Sequence, residues 1–275
     1  MGQSVRPATG QDFDLVAIDV DGTLLTSRHE LSSGAEVAIR QARERGIEVT
    51  LISGRGKLPL MPWLERFKIA VPYVCSSGGF IVDPISGQVL FQGRLGSQDV
   101  DLIVGLARRH GATIFFDEPD LFLAEGDPQE VAGVARMTEM DVRRSADILK
   151  ERPDPPTKIF LTGEHEVLRQ IESRIREQRP ALFLAYSQPT FLEITPDGAD
   201  KGTAIRHLAA HLGIPLSRVA AIGDGANDIG MFRIVGLAVA MGNAVPEVKA
   251  EADVVAPPND EGGVAWALEQ VIVKG

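Results

Sequence analysis

The chain has 275 residues, enough for one large or two ordinary domains with a sizeable core. Hydrophobic residues at 44% and charged residues at 24% exclude a wholly disordered chain. Lys+Arg 28 against Asp+Glu 38 gives a formal net charge of −10, which argues against sequence-independent nucleic-acid binding, because that needs a basic surface to displace counterions.

The run at 14–19 is short, apolar and bounded by carboxylates, and predicts a buried strand. A helix follows over 33–45, with Ala35, Ala38, Ile39 and Ala42 as its apolar stripe and Gly46 as its stop. A strand at 47–52, a helix at 58–67 and a strand at 71–75 continue the alternation. Strands alternating with helices indicate βαβ units and a parallel sheet.

The middle of the chain breaks this rhythm. Short strands are predicted at 88–91, 113–116 and 121–124, the last two separated by the turn-like cluster 117–120. Helices are predicted at 97–109, 128–137 and 164–178, with Asp127 before Pro128 as a good helix start. Further strands fall at 158–161, 182–185 and 191–194, so this segment reads as a separate α+β unit. The βα rhythm then resumes: helices at 201–212, 228–235, 246–250 and 262–273, strands at 219–222, 237–240 and 254–255. The predicted fold is α/β: a Rossmann-like parallel-sheet core in two pieces, 1–83 and 192–275, with an inserted α/β unit at 84–191.

The single cysteine, Cys75, cannot close an intrachain disulfide or build a cysteine zinc site, and reads as a small buried hydrophobe. No apolar run reaches the ~18–20 residues of a membrane span. Residues 1–12 are polar and lack a signal peptide's apolar stretch, and Arg6 stands where a myristoylation pattern needs Ser or Thr. These features predict a soluble, cytoplasmic protein with no membrane partner.

Four strand ends carry residues suited to chemistry. Asp19-Val-Asp-Gly-Thr23 follows the first strand, where ligands bind in open α/β sheets. Asp19 and Asp21 stand two apart on extended backbone and so face one pocket. Two close carboxylates repel unless a cation offsets them, and a hard cation such as Mg²⁺ takes carboxylates plus a substrate phosphate. The same pattern also fits a purely structural turn. Gly223-Asp-Gly-Ala-Asn-Asp228 makes a second acidic strand end. It departs from a dinucleotide fingerprint at Asp228, and fits either a capped Gly-rich turn or a site in which Asp224 joins Asp19 and Asp21 around a cation, with Asn227 and Asp228 in support. Ser53-Gly-Arg55 ends the second predicted strand; a hydroxyl and backbone N–H groups before a helix can hold a phosphate, though an ordinary Ser-Gly turn has the same look. Lys201 opens a helix, against the helix dipole, and is either an exposed lysine or one that serves something else.

Together these motifs resemble the haloacid dehalogenase superfamily, and within it the Cof-like phosphatases with a large α/β cap. Asp19-Val-Asp-Gly-Thr-Leu-Leu25, Ser53-Gly-Arg55, Lys201-Gly-Thr203 and Gly223-Asp-Gly-Ala-Asn-Asp228 look like its four motifs. Ala240-Met-Gly-Asn-Ala244 and Asn259-Asp-Glu-Gly-Gly-Val264 are similar to its tail. The resemblance implies that Asp19 is the nucleophile, forming an aspartyl-phosphate, and that Asp21 is the general acid and then the base. It implies Mg²⁺ as cofactor, held by Asp19, the Asp21 backbone carbonyl and Asp224. It assigns the transferring phosphoryl to Ser53, Gly54, Lys201, Asn227 and the backbone N–H of Val20. Thr23 would support the Asp19 loop, Asp228 would sit near Lys201 or the metal, and Arg55 would reach a substrate anion.

Two positions depart from the family pattern. Ser77-Gly78-Gly79 stands where Asn-Gly-Ala is usual, which puts in doubt a loop or substrate contact at 77, and Gly56 stands where Pro is frequent. The implied activity is hydrolysis of a small phosphorylated metabolite, a sugar phosphate first, with flavin mononucleotide or pyridoxal phosphate as alternatives and no nucleic acid as partner. A phosphomutase on the same scaffold, a phosphorylated receiver domain and a non-catalytic phosphoryl-binding protein are the competing readings. Oligomeric state is not encoded in these motifs.

Overall fold

A computed structural model describes residues 12–118, 121–138, 141–151 and 154–272. The N-terminal stretch read for targeting signals, and part of the expected 117–120 turn, lie outside the described residues.

The larger sheet contains β1 (Leu15–Asp19), β2 (Glu48–Ile52), β3 (Tyr73–Cys75), β4 (Phe80–Val82) and β5 (Val89–Gln92). The smaller sheet takes β6 (Thr113–Glu118), β7 (Leu121–Glu125), β8 (Val142–Arg144), β9 (Lys158–Thr162), β10 (Phe183–Gln188) and β11 (Phe191–Thr195). The chain then rejoins the larger sheet with β12 (Val219–Gly223), β13 (Leu237–Ala240) and β14 (Val254–Val255). Strand order in the larger sheet is β14-β13-β12-β1-β2-β3-β4-β5. It is parallel from β14 to β3 and antiparallel at its β4–β5 edge. β1, β12 and β13 are buried along their whole length, which explains why they read as continuous apolar runs rather than alternating ones.

Helices cover both faces. Ala35–Glu44 buries the expected stripe of Ala35, Ala38, Ile39 and Ala42. Lys201–Leu212 packs Ala204, Ile205 and Leu208 into the apolar cluster on the other face, with Leu15, Ala17 and Val219. The smaller sheet, in order β10-β11-β9-β6-β7-β8, is antiparallel except at its β7–β8 edge and has its own core around Phe116, Ile159, Leu161 and Ile171. Cys75 is buried, as a small hydrophobe should be.

The sheets divide at different places from those expected. β5, expected in the insert, pairs with β4 and completes the larger sheet, because the tight turn held by the Asp83 carboxylate folds it back as a hairpin. β11, expected at the return of the core, lies between β10 and β9 of the smaller sheet. β4, β8 and the short helix Ile148–Glu151 were not anticipated; at three or four residues each they are too short to show a period.

Candidate active site

β1 is central, with β12 on one side and β2 on the other, so the chain direction across the sheet reverses between β1 and β12. Ligand sites in open α/β sheets sit at the carboxyl strand ends beside such a switch. Asp19 ends β1, Asp224 follows β12 and Ser53 follows β2, so topology brings together three segments far apart in sequence.

After Asp19 the chain turns through residues 20–24, with Gly22 at φ +77. A Cβ at Gly22 would lie 2.3 Å from Asp224 Oδ2, so this glycine lets the two acidic loops touch. Thr23 Oγ1 donates to Asp224 Oδ1 at 2.8 Å, so Thr23 ties the Asp19 loop to the opposite one. Lys201 is buried, and its Nζ donates to Asp19 Oδ1 at 2.6 Å and to Asp228 Oδ1 at 2.5 Å. That excludes the exposed-lysine alternative. The lysine sits at its helix start because Asp200 caps that helix, accepting from Thr203 N at 3.0 Å. Asp228 Oδ2 accepts the N–H groups of Asp224 and Gly225, both at 2.9 Å, which ties the β12 turn closed.

Oxygen atoms of Asp19, Asp224 and Asp228 lie within 4.8 Å of one another. Three carboxylates therefore face one ammonium. Burial pushes the Asp19 carboxyl well up from its ordinary range, while the Lys201 ammonium pulls it back. Burial also pushes Asp224 up to about 6, against the lowering hydrogen bond from Thr23. Burial alone would lower the Lys201 ammonium, but Asp19 and Asp228 outweigh it and raise it. Asp228 spends its oxygens on Lys201 and two backbone N–H groups. Asp19 and Asp224 remain as hard oxygen donors with excess negative charge, and this donor set fits a divalent cation.

Asp21 is exposed and does not join this cluster. Arg55 holds it with two hydrogen bonds, Nε to Oδ2 at 2.8 Å and Nη2 to Oδ1 at 2.6 Å, and His29 Nδ1 lies 3.8 Å away. Asp19, Asp21, Gly54, Arg55, Asp224 and Asn227 nevertheless line one cavity of about 760 Å³. Its far wall belongs to the smaller sheet, with Phe122, Phe160, Tyr186 and Phe191 among its residues. Val20, Ser53, Thr23, Lys201 and Asp228 are buried beside this floor rather than among the lining residues.

Several site residues had no sequence assignment. Asn243 Nδ2 donates to Gly22 O at 2.8 Å and to Asp224 Oδ2 at 3.3 Å. Asn259 N donates to Asn243 Oδ1 at 3.0 Å, and Asn259 Nδ2 to Leu25 O at 2.9 Å. The tail motifs 240–244 and 259–264 thus brace the acidic loops. The family-like tail pattern was the available signal; the role was not readable from it. Lys158 and Glu193, which also line the cavity, carried no signal at all.

Residues 16–268 match the family model of the haloacid dehalogenase-like hydrolases. Phosphatase YwpJ of Bacillus subtilis is 30% identical over 284 aligned positions, covering 94% of this chain and 99% of that protein. An HMP-PP phosphatase of Klebsiella pneumoniae is 29% identical over 239 positions, covering 86% and 87%. The solved structure of a haloacid dehalogenase-like hydrolase from Bacteroides thetaiotaomicron superposes with a TM-score of 0.85 at 29% identity, over 94% of this chain and 100% of that one. The chain belongs to the haloacid dehalogenase-like hydrolases, in their Cof-like subfamily. Its named relatives set it among the hydrolases that act on phosphate esters.

Proposed function

We propose that this protein is a Mg²⁺-dependent phosphomonoester hydrolase that acts on a small phosphorylated metabolite through an aspartyl-phosphate on Asp19. One observation carries the reading: a buried carboxylate at the end of the central strand, 2.6 Å from a buried lysine and clustered with two further carboxylates. Lys201 holds and orients Asp19, and its charge opposes the proton that burial would favour on the nucleophile. The Asp19 oxygen attacks phosphorus as the bond to the leaving oxygen breaks, and Asp21 gives that oxygen a proton. Water then attacks the aspartyl-phosphate, giving its proton to Asp21, and inorganic phosphate leaves with Asp19 restored. Splitting one displacement into two easier ones is the gain of covalent catalysis. Asp19 and Asp224 would hold the cation, which when bound neutralises charge on the phosphoryl oxygens. Ser53, Gly54, Lys201, Asn227 and the Val20 N–H would position those oxygens, which is most of phosphoryl-transfer catalysis.

The cavity wall opposite the acidic cluster belongs to the unit built on the smaller sheet, β6 to β11. Residues there would read the leaving group and keep bulk water out. The test is phosphate release from p-nitrophenyl phosphate and a panel of phosphorylated metabolites, ranked by kcat/KM. Activity should require Mg²⁺, vanish with a chelator, and fall by at least ~10³-fold in Asp19→Asn. Hydrolysis that survives Asp19→Asn would remove the covalent mechanism.

A further inference from the structure

A buried ionic cluster joins the two sheets beside the acidic site. Lys158, at the start of β9, is buried, and its Nζ lies 3.1 Å from Asp117 Oδ2 on β6 and 3.5 Å from Glu193 Oε2 on β11. Each of these carboxylates also accepts from the loop after β3: Ser76 Oγ donates to Asp117 Oδ2 at 2.9 Å, and Ser77 Oγ to Glu193 Oε2 at 3.1 Å. Burial alone would lower the Lys158 ammonium, but the two carboxylates raise it, so it stays charged. A buried ion pair is weak evidence of stabilisation, since apolar packing in its place is often as stable. The geometry offers another reason for keeping it.

Lys158 Nζ also donates to the carbonyl of Gly54 at 3.0 Å. Three successive carbonyls of the loop after β2 are engaged in this region. Ser53 O accepts from Ser77 N at 2.9 Å and Arg55 O from Ser76 N at 2.8 Å, both from the neighbouring loop of the same sheet. The middle carbonyl takes its bond from the inserted unit. A trans peptide is planar, so its C=O and N–H point in opposite directions. The N–H of this same Gly54–Arg55 peptide donates to Ser53 Oγ at 3.1 Å. That bond uses the hydroxyl as an acceptor and leaves its proton to be donated elsewhere.

We propose that Lys158 is a positioning residue, acting from the inserted unit through the Gly54–Arg55 peptide to aim the Ser53 hydroxyl at the transferring phosphoryl group. The inference rests on the phosphatase reading, in which Ser53 binds that group. It also joins the seating of the smaller sheet to the readiness of the phosphate loop, because the lysine and its two carboxylates come from three strands of that sheet.

The test is a double-mutant cycle on the full chain: wild type, Lys158→Met, Ser53→Ala and the double variant, assayed on p-nitrophenyl phosphate with kcat and KM separated. Lys158→Met should lower kcat by about 10- to 100-fold, the scale expected of a misplaced catalytic contact. Adding it to Ser53→Ala should cost no more than about 2-fold further, because both remove one shared effect. Losses that multiply across the cycle, or an unchanged kcat in Lys158→Met, overturn the proposal. Thermal unfolding reports whether each variant is folded. If Lys158→Met is not, Asp117→Asn and Glu193→Gln keep the lysine, loosen its anchors, and enter the same cycle with the same two outcomes. A wild-type protein inactive on p-nitrophenyl phosphate and on the metabolite panel overturns the phosphatase reading instead, and this inference with it.

Discussion

Gly22 shows how closely the acidic loops are matched. Its φ of +77 is a conformation that costs an L residue ~1–2 kcal/mol, and any Cβ would meet the Asp224 carboxylate at 2.3 Å. Gly22→Ala should therefore push Asp224 away from Asp19 and lower divalent-cation affinity. Isothermal titration with Mg²⁺ checks this, and an unchanged affinity would show that Asp224 is not a ligand. At this scale much was legible in the sequence. Asp19, Asp224, Lys201 and Asp228 lie at the ends of strongly apolar runs or at a helix start, and the structure gathers them into one contact network. The partner of Asp21 was not legible. The two-residue spacing predicted that it would share a pocket with Asp19, and it does line the same cavity. Its backbone is extended, but its carboxylate is taken by Arg55, outside the cluster that Asp19 forms with Asp224 and Asp228.

Between elements, long-range charge pairs pin helices to strands. Arg108, near the end of the helix Ser97–His110, donates to Glu125 of β7 at 2.6 and 2.7 Å and to Asp147 at 2.9 Å. Burial pushes Glu125 up, but hydrogen bonds from Arg108 and the Ile148 N–H outweigh it and hold its carboxyl below the usual range; Arg108 and Lys150 do the same for Asp147. A carboxylate lowered in the folded state contributes stability above its unfolded pKa and loses it as pH falls through the folded one. The melting temperature of wild type should thus exceed that of Arg108→Met at pH 7, and the gap should close as pH drops below about 4. A gap independent of pH would assign the difference to packing of the arginine stem. Helix and strand positions were largely legible here because their apolar periods run for five residues or more. β8 and β4 were not, being held by pairing with neighbours rather than by a pattern of their own.

On the scale of the whole molecule, the two sheets carry separate apolar cores: clusters around Phe116 and Ile159 and around Phe115 and Phe160 in the smaller, and clusters around β1 and β12 in the larger. Phe116 is fully buried in the smaller sheet, far in sequence from the acidic loops. Phe116→Ala should cost about 3–5 kcal/mol through lost packing. Calorimetry should show that loss as an earlier transition of the inserted unit, with Mg²⁺ still stabilising the later transition of the larger sheet. A single transition shifted as a whole would mean that the two units unfold together. The joint between them does not by itself offset the acidity of the chain. The cavity lining sets Arg55, Lys158, Arg169 and Arg176 against Asp19, Asp21, Glu172, Glu193 and Asp224, so on the proposed mechanism it is the divalent cation that lets an anion enter.

The order of elements, the family and the identity of the acidic strand ends are properties of the sequence itself, because apolar runs and turn residues act over a few positions. What they could not carry is any contact whose partners are separated by tens of residues or more. Asn243 on Gly22, Arg55 on Asp21, and Lys158 on Gly54 are set by which strands lie side by side and how an inserted sheet seats on its host. Hydrogen-bond partners are fixed by distance and direction in space, and only the folded chain brings those groups within reach.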